Sequence, residues 1–175
     1  MGTVLADFRR MVSEPTSTTY SDDLLQGIAD RYRTVHKRIA IRSSDKDTPY
    51  YDYEFPRVVG QWVEQNETGS GWELLDSNDA AAPSYTVNYY ARTITFTADT
   101  ANTEYYLSCR SYDLNLAAAH VWREKAAAVA QNIDFSTDNH AFQASQKKAA
   151  YLDMAAYYES LGGAQVLEMY RGDMM

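Results

Sequence analysis

The chain has 175 residues, a net charge of −8 and a pI near 4.8. This argues against tight binding to DNA or anionic membranes, because phosphate binding relies on Lys and Arg. A single cysteine excludes an intramolecular disulfide, and no Cys/His spacing resembles a zinc site, so a reducing compartment is expected. No apolar run approaches the roughly 20 residues that cross a bilayer, which predicts a soluble protein.

Two helices are predicted in the N-terminal part of the chain. The first lies in VLADFRRMVSEP and ends at Pro15. The second has Ser21 as its N-cap and is expected to run to about Lys37. Its apolar positions follow helical spacing: Leu24, Leu25, Ile28, Tyr32 and Val35.

The middle of the chain is predicted to be β-rich. Candidate strands lie at 57–65 and 72–76, a hairpin lies within 85–98, and a last strand spans 104–112. Alternation along the last strand places Cys109 on the same face as Tyr105 and Leu107. Cys109 is therefore expected to be a buried packing residue and not a reactive thiol.

Tyrosine is unusually frequent in this β-rich region. Nine of the fifteen tyrosines lie between Tyr50 and Tyr112. The excess is compatible with strand propensity, with an assembly surface, or with a sugar-binding face.

Two further helices are predicted after the β region. Asp113 is the expected N-cap of the first, which has a buried stripe of Ala118, Trp122, Ala126, Val129 and Ile133. The second is expected to turn Ala149, Leu152 and Ala156 inward and to stop at Gly162. The predicted fold is α+β, a helical bundle core of about four helices with an inserted antiparallel β region. Residues 1–48 and 112–161 would form the core, 49–111 the insertion, and 162–175 a C-terminal extension.

The segment DFSTDNHAFQASQ, residues 134–146, concentrates polar side chains between these two helices. Ser136, Asp138 and His140 are residue types found in hydrolases, but no glycine-flanked nucleophile or oxyanion hole accompanies them. Nor does the spacing of His120, His140 and Asp138 show converging metal ligands. We therefore expect no catalytic, metal or cofactor residues, and a connector anchored by Phe135 and Phe142.

Two stretches, FRRMVSEPTSTTYSDDLLQGIADRY and YDLNLAAAHVWREKAAAVAQNIDFSTDNHAFQASQKKAAYLDMAAYY, resemble the head-tail connector (adaptor) proteins of tailed bacteriophages. The motifs that carry the resemblance are at Tyr20 to Asp22, Tyr112 to Ala118, Asp134 to Ser136 and Ser145 to Lys147. The resemblance covers roughly residues 4–36 and 112–161. The region from about 57 to 110 is longer and richer in β-structure than in the small all-helical members of that family.

The resemblance implies a virion structural protein, not an enzyme, that needs no cofactor. Such proteins form a ring, usually of about twelve copies, that is assembled in the host cytoplasm and lies at the head-tail interface. Its partners would be the portal ring, the tail or head-closure (stopper) proteins, and neighbouring copies, with no membrane involved. DNA would pass through the channel during packaging and ejection without specific binding. Head-closure or tail-completion proteins remain the alternative, and a carbohydrate-binding module is a more distant one.

Seven residues are candidates for an assembly interface. Two lie in the tyrosine-rich region, two flank the polar connector and three belong to the C-terminal extension. They are Tyr89, Tyr90, Phe135, Phe142, Met169, Tyr170 and Arg171.

Overall fold

The computed structural model describes residues 2–65, 71–130, 135–137, 140–142 and 144–163, which form a mixed α+β fold. The helices are α1 (Gly2–Met11), α2 (Asp22–Asp30), α3 (Leu114–Val129) and α4 (Ala144–Leu161). The strands are β1 (Arg33–Ile41), β2 (Asp52–Glu54), β3 (Trp62–Val63), β4 (Glu73–Asp76), β5 (Tyr85–Asn88), β6 (Thr93–Phe96), β7 (Tyr105–Tyr112), β8 (Phe135–Thr137) and β9 (His140–Phe142). The expected class, helices at both ends of the chain around antiparallel β-structure, is confirmed.

The helices meet in one hydrophobic cluster, the helical core, with α3 at its centre. Trp122 of α3 donates its indole N–H to the carbonyl of Met11 at 3.2 Å. Lys125 donates to the carbonyl of Val12 at 2.6 Å, so α3 satisfies carbonyls at the end of α1 that have no partner within that helix. The core residues are Val4, Phe8, Val12, Tyr20, Leu25, Ile28, Ala29, Tyr112, Leu114, Ala117, Ala118, Val121, Trp122 and Ala155.

The second helix is shorter than its sequence predicts. Ser21 caps α2 as expected, accepting a hydrogen bond from the Leu24 amide, but the helix ends at Asp30 and the prediction that it reaches Lys37 is wrong. Residues from Arg33 onward instead pair antiparallel with β7, from Arg33↔Tyr112 to Ile41↔Tyr105, with one shift of register between His36 and Ile39. The reason is tertiary: this stretch is rich in β-branched residues, and β7 needs a partner for its backbone groups.

The β region consists of two antiparallel sheets that share the β core. In the first, β7 pairs with β1 on one edge and with β3 and β4 on the other, and the second has the order β2-β6-β5. Phe96 of the second sheet stacks on Tyr105 of the first, with ring centroids 4.7 Å apart. The β core comprises Ile41, Tyr53, Phe55, Val59, Val63, Leu74, Ile94, Phe96, Tyr105, Leu107 and Cys109.

Most of the predicted strands are present. The hairpin within 85–98 forms β5 and β6, and the last strand forms β7 with Cys109 buried beside Leu107 as expected. The strand predicted at 57–65 is wrong for all but Trp62–Val63. There the backbone is held by a side chain instead of a strand partner, because Arg92 donates to the carbonyls of Pro56 and Val59 at 3.0 and 2.7 Å.

The two C-terminal helices agree with the predicted pattern in α3 but not in α4. Ala118, Trp122, Ala126 and Val129 are buried as expected, while Ile133 lies outside the described residues. In α4 the predicted inner residues Ala149, Leu152 and Ala156 are all exposed, so that prediction is wrong. Ala144 and Ala155 are buried instead, with Tyr151 and Tyr158 partly buried beside them. Aromatic rings bury more apolar surface than alanine does, and Tyr151 packs on Trp122 with centroids 5.3 Å apart.

Between α3 and α4 the chain forms the β8-β9 hairpin. The paired residues are Phe135 with Phe142, Ser136 with Ala141 and Thr137 with His140. The polar segment therefore connects two helices through a short hairpin.

Candidate assembly surface

Tyr89 and Tyr90, two of the predicted interface residues, follow β5 in the connection to β6. Tyr90 is 81% exposed, the most exposed large apolar side chain of the described residues. Tyr89 is half-buried, and its ring meets the edge of Trp72 at 6.0 Å. Together with Val4 of α1 and Trp62 they line a cavity of about 100 Å³. Tyr89 thus holds the connection onto the β core and Tyr90 is presented outward.

The other five predicted interface residues lie partly or wholly outside the described part of the chain. Phe135 and Phe142 are paired across the β8-β9 hairpin, which brings them together, but their side chains lie outside the described residues. Met169, Tyr170 and Arg171 lie outside the described residues altogether. The structure brings Tyr89 and Tyr90 together, and separately Phe135 and Phe142.

The tyrosine excess is largely used inside the fold. Tyr53 is fully buried, and Tyr105 is almost so. The hydroxyl of Tyr53 lies 2.7 Å from the carbonyl of Thr103, so its polar end is satisfied within the protein. Tyr53 and Tyr105 therefore belong to the β core and contribute no ring to an exposed aromatic face.

An apolar surface that the sequence-based prediction missed lies on α4. This 18-residue helix buries only Ala144 and Ala155 completely. On its solvent side lies the α4 outer stripe, which we define as Ala150, Met154, Tyr157 and Leu161. Met154 is 37% exposed, Tyr157 57% and Leu161 46%. Residues spaced by four, three and four positions lie on one helix face, so the signal was present in the sequence. The competing triplet of Ala149, Leu152 and Ala156 concealed it.

A helix that is apolar on several faces is normally buried on several faces. Within the described chain, however, α4 packs mainly against α3. The ring of Tyr157 meets Tyr158 edge-on at 5.2 Å, and Tyr158 belongs to the partly buried margin of the helical core. Contact with Tyr158 therefore restricts the ring of Tyr157. Less side-chain entropy is then lost when a partner covers the stripe.

A buried Ser-His contact lies near the junction of the two cores. Nε2 of His36 is 2.8 Å from Oγ of Ser111, and the amide of Gly60 donates to the same oxygen at 3.2 Å. Burial lowers the pKa of His36, which favours the neutral form of its ring. A groove of about 540 Å³ runs past Ser111. The oxygen already holds two partners, and this arrangement fastens the 56–61 loop to β7.

The remaining reactive side chains are also tied into the structure. Burial raises the pKa of Cys109 to about 12, which leaves its thiol uncharged at neutral pH. His120 lies 3.2 Å from the hydroxyl of Tyr32 and 3.1 Å from Glu124. Across the described residues, no three His, Cys, Asp or Glu side chains are grouped so that they could hold a metal ion. None of the described helices is long and apolar enough to cross a membrane.

Comparisons with models of protein families, with curated proteins and with solved structures found no match for this chain. Its function is therefore inferred from its residues and their geometry, together with the resemblance seen in the sequence.

Proposed function

We propose that this protein is a head-to-tail adaptor, a virion structural protein that forms an oligomeric ring beneath the portal and continues the DNA channel towards the tail. The observation that carries the proposal is the apolar outer surface of α4. An isolated monomer gains nothing from exposing Met154, Tyr157 and Leu161 along one face, whereas an assembling subunit can bury them.

The location of the resembling motifs supports the same proposal. Tyr20 and Tyr112 are both buried in the helical core, and the residues that follow them, Ser21 and Asp113, cap α2 and α3. The hydroxyl of Tyr20 lies 3.4 Å from Glu124, which links the turn before α2 to α3. Two of the four motifs that carry the resemblance thus join the helices, as expected if they specify a shared helical core.

Net charge is compatible with a channel through which DNA moves. At −8 the subunit does not attract phosphates overall, so a ring of such subunits would let DNA slide instead of holding it. Many of the cations are also matched inside the chain: Arg9 pairs with Asp22, Arg38 with Asp79, and Arg123 with Glu159. A cation that is paired with a carboxylate within the subunit attracts DNA phosphates less strongly.

Co-sedimentation with the portal ring tests the proposal. We expect the purified full chain to sediment with portal rings and to increase their mass by a whole number of copies. A variant in which Met154 and Tyr157 are both replaced by Lys should lose this property while retaining the circular dichroism spectrum of the parent. Tyr51→Lys, at an exposed position of the β region, is the matched control.

The alternatives predict different binding. A head-closure or tail-completion protein would bind a preformed adaptor ring or the tail but not the bare portal. A carbohydrate-binding module would bind a glycan array and leave the portal alone. Either result would overturn the adaptor proposal.

A further inference from the structure

We infer that the α4 outer stripe binds the outward face of α2 in a second copy of this chain, forming the contact that repeats around the ring. This inference rests on the proposed function. The α2 outer face is defined here as Asp23, Leu24, Gly27 and Arg31, the exposed positions opposite the buried Leu25, Ile28 and Ala29.

The position of α3 makes the two surfaces suitable for a repeating contact. It packs against both α2 and α4, while α2 and α4 have little contact with each other. Buried residues of both helices belong to the helical core, so the two exposed surfaces are different patches of one subunit. A contact between two different surfaces is head-to-tail, and head-to-tail contacts generate a ring when the rotation between neighbours closes.

The α2 outer face has the shape that a docking helix needs. Leu24, in the first turn of α2, is 47% exposed. One turn later, a Cβ added to Gly27 would meet nothing within 4 Å, so packing inside the subunit does not require a glycine there. Glycine within a helix weakens it relative to alanine, but it lets another helix approach closely. Leu24 beside Gly27 forms a knob next to a gap, into which Met154 or Tyr157 can insert.

The charges on the two surfaces are complementary in a parallel arrangement. On α2, Asp23 precedes Arg31 by eight residues, about 12 Å along the helix axis. On α4, Lys147 precedes Asp153 by six residues, about 9 Å. The long Lys and Arg side chains can absorb the difference, so Asp23 would meet Lys147 and Arg31 would meet Asp153. Within the described residues none of the four has an ion-pair partner.

The size of the surface argues for a weak individual contact. The 18 residues of α4 span about 27 Å, and a stripe about 10 Å wide gives about 270 Å². This is about a third of the 800 Å² that each partner contributes to a standard stable interface. Copies would therefore associate weakly when free and more completely when the portal ring holds them side by side, because neighbouring sites raise the effective concentration.

Cysteine cross-linking tests the contact in the full chain. Leu24→Cys and Met154→Cys are prepared singly and together, and treated with a short bismaleimide both in concentrated solution and on portal rings. We expect neither single variant to cross-link with itself. An equimolar mixture of the two should give dimers, and the double variant a ladder of higher oligomers. Thr86→Cys, at an exposed β5 position, replaces Leu24→Cys in the control mixture and should give none. The buried Cys109 should leave the parent protein unlinked.

Two further variants separate contact from folding. Gly27→Gln should preserve or raise the thermal midpoint but lower the cross-linking yield severalfold, because the added side chain fills the gap. Arg31→Asp should lower the yield, and combining it with Asp153→Arg should restore it.

The possible outcomes distinguish failure of the inferred contact from failure of the proposed function. Self-linking of Met154→Cys would show α4 meeting α4, and would overturn the inference while leaving the adaptor function intact. Loss of the Leu24-to-Met154 link in a protein that still sediments with the portal would do the same. A chain that neither associates nor binds the portal would overturn both.

Discussion

Replacing Tyr53 with Phe should destabilise the fold, because the hydroxyl of this fully buried residue ties the connection between β6 and β7 to β2. Its oxygen lies 2.7 Å from the carbonyl of Thr103 and 2.8 Å from Oγ1 of Thr100. Thr100 itself donates to the carbonyl of Tyr50 at 3.0 Å, so the proton of Tyr53 is the one available to Thr103. The substitution leaves that carbonyl without its donor and removes no ring contact.

The expected cost follows from the lost hydrogen bonds. Removing one partner of a buried pair costs about 1–3 kcal/mol. With a shift of about 2–4 °C per kcal/mol in a protein of this size, a loss of about 2 kcal/mol lowers Tm by about 4–8 °C. Urea unfolding followed by circular dichroism measures the free energy of unfolding, and a thermal scan measures Tm. Tyr90→Phe is the matched control because its hydroxyl is on an exposed side chain, and it should change stability by less than about 0.5 kcal/mol. Equal effects of the two substitutions would refute the role given to Tyr53.

Three further predictions concern titration, capping and thiol reactivity. Burial holds the pKa of His36 below its ordinary value of 6.5, so the unfolded chain binds a proton that the folded chain does not. Stability should therefore fall as pH drops below 6.5, and His36→Gln should flatten that part of a urea-unfolding pH profile; an unchanged slope would contradict this. Asp113→Ala should cost about 1–2 kcal/mol in urea unfolding, since Oδ1 accepts from the Leu116 amide at 3.1 Å and Oδ2 from Gly163 at 3.0 Å. A neutral result would show that neither bond stabilises the fold. Cys109 should react with Ellman's reagent only after unfolding, and rapid labelling of the native protein would contradict its burial.

Local chemistry made several features predictable from sequence. Ser21 and Asp113 were identified as caps because a side-chain oxygen just before an apolar-periodic stretch satisfies an otherwise unpaired amide. The β5-β6 hairpin and β7 were predicted because alternation with a period of two is visible over a few residues. In each case the deciding interaction lies within a few positions along the chain.

The candidate surface was less predictable. Tyr90 was identified and is exposed, but the apolar face of α4 was assigned to the wrong side of the helix. Ala149, Leu152 and Ala156 fit helical spacing as well as the residues that pack on the helical core do. What distinguishes them is Trp122 of α3, against which Tyr151 packs.

The sequence by itself determined the α+β class, the caps of α2 and α3, the buried position of Cys109 and the period of the β5-β6 hairpin, β7 and α3, because these depend on neighbouring residues. Only the tertiary structure decided that residues from Arg33 form a strand, since that requires β7 to arrive some 70 residues later and pair with them. It also decided which face of α4 meets α3. The intrinsic difference between helix and strand is small for such a segment, so pairing with β7 decides between them. A helix can also rotate about its axis, so the neighbour that buries the larger apolar surface decides which face is buried.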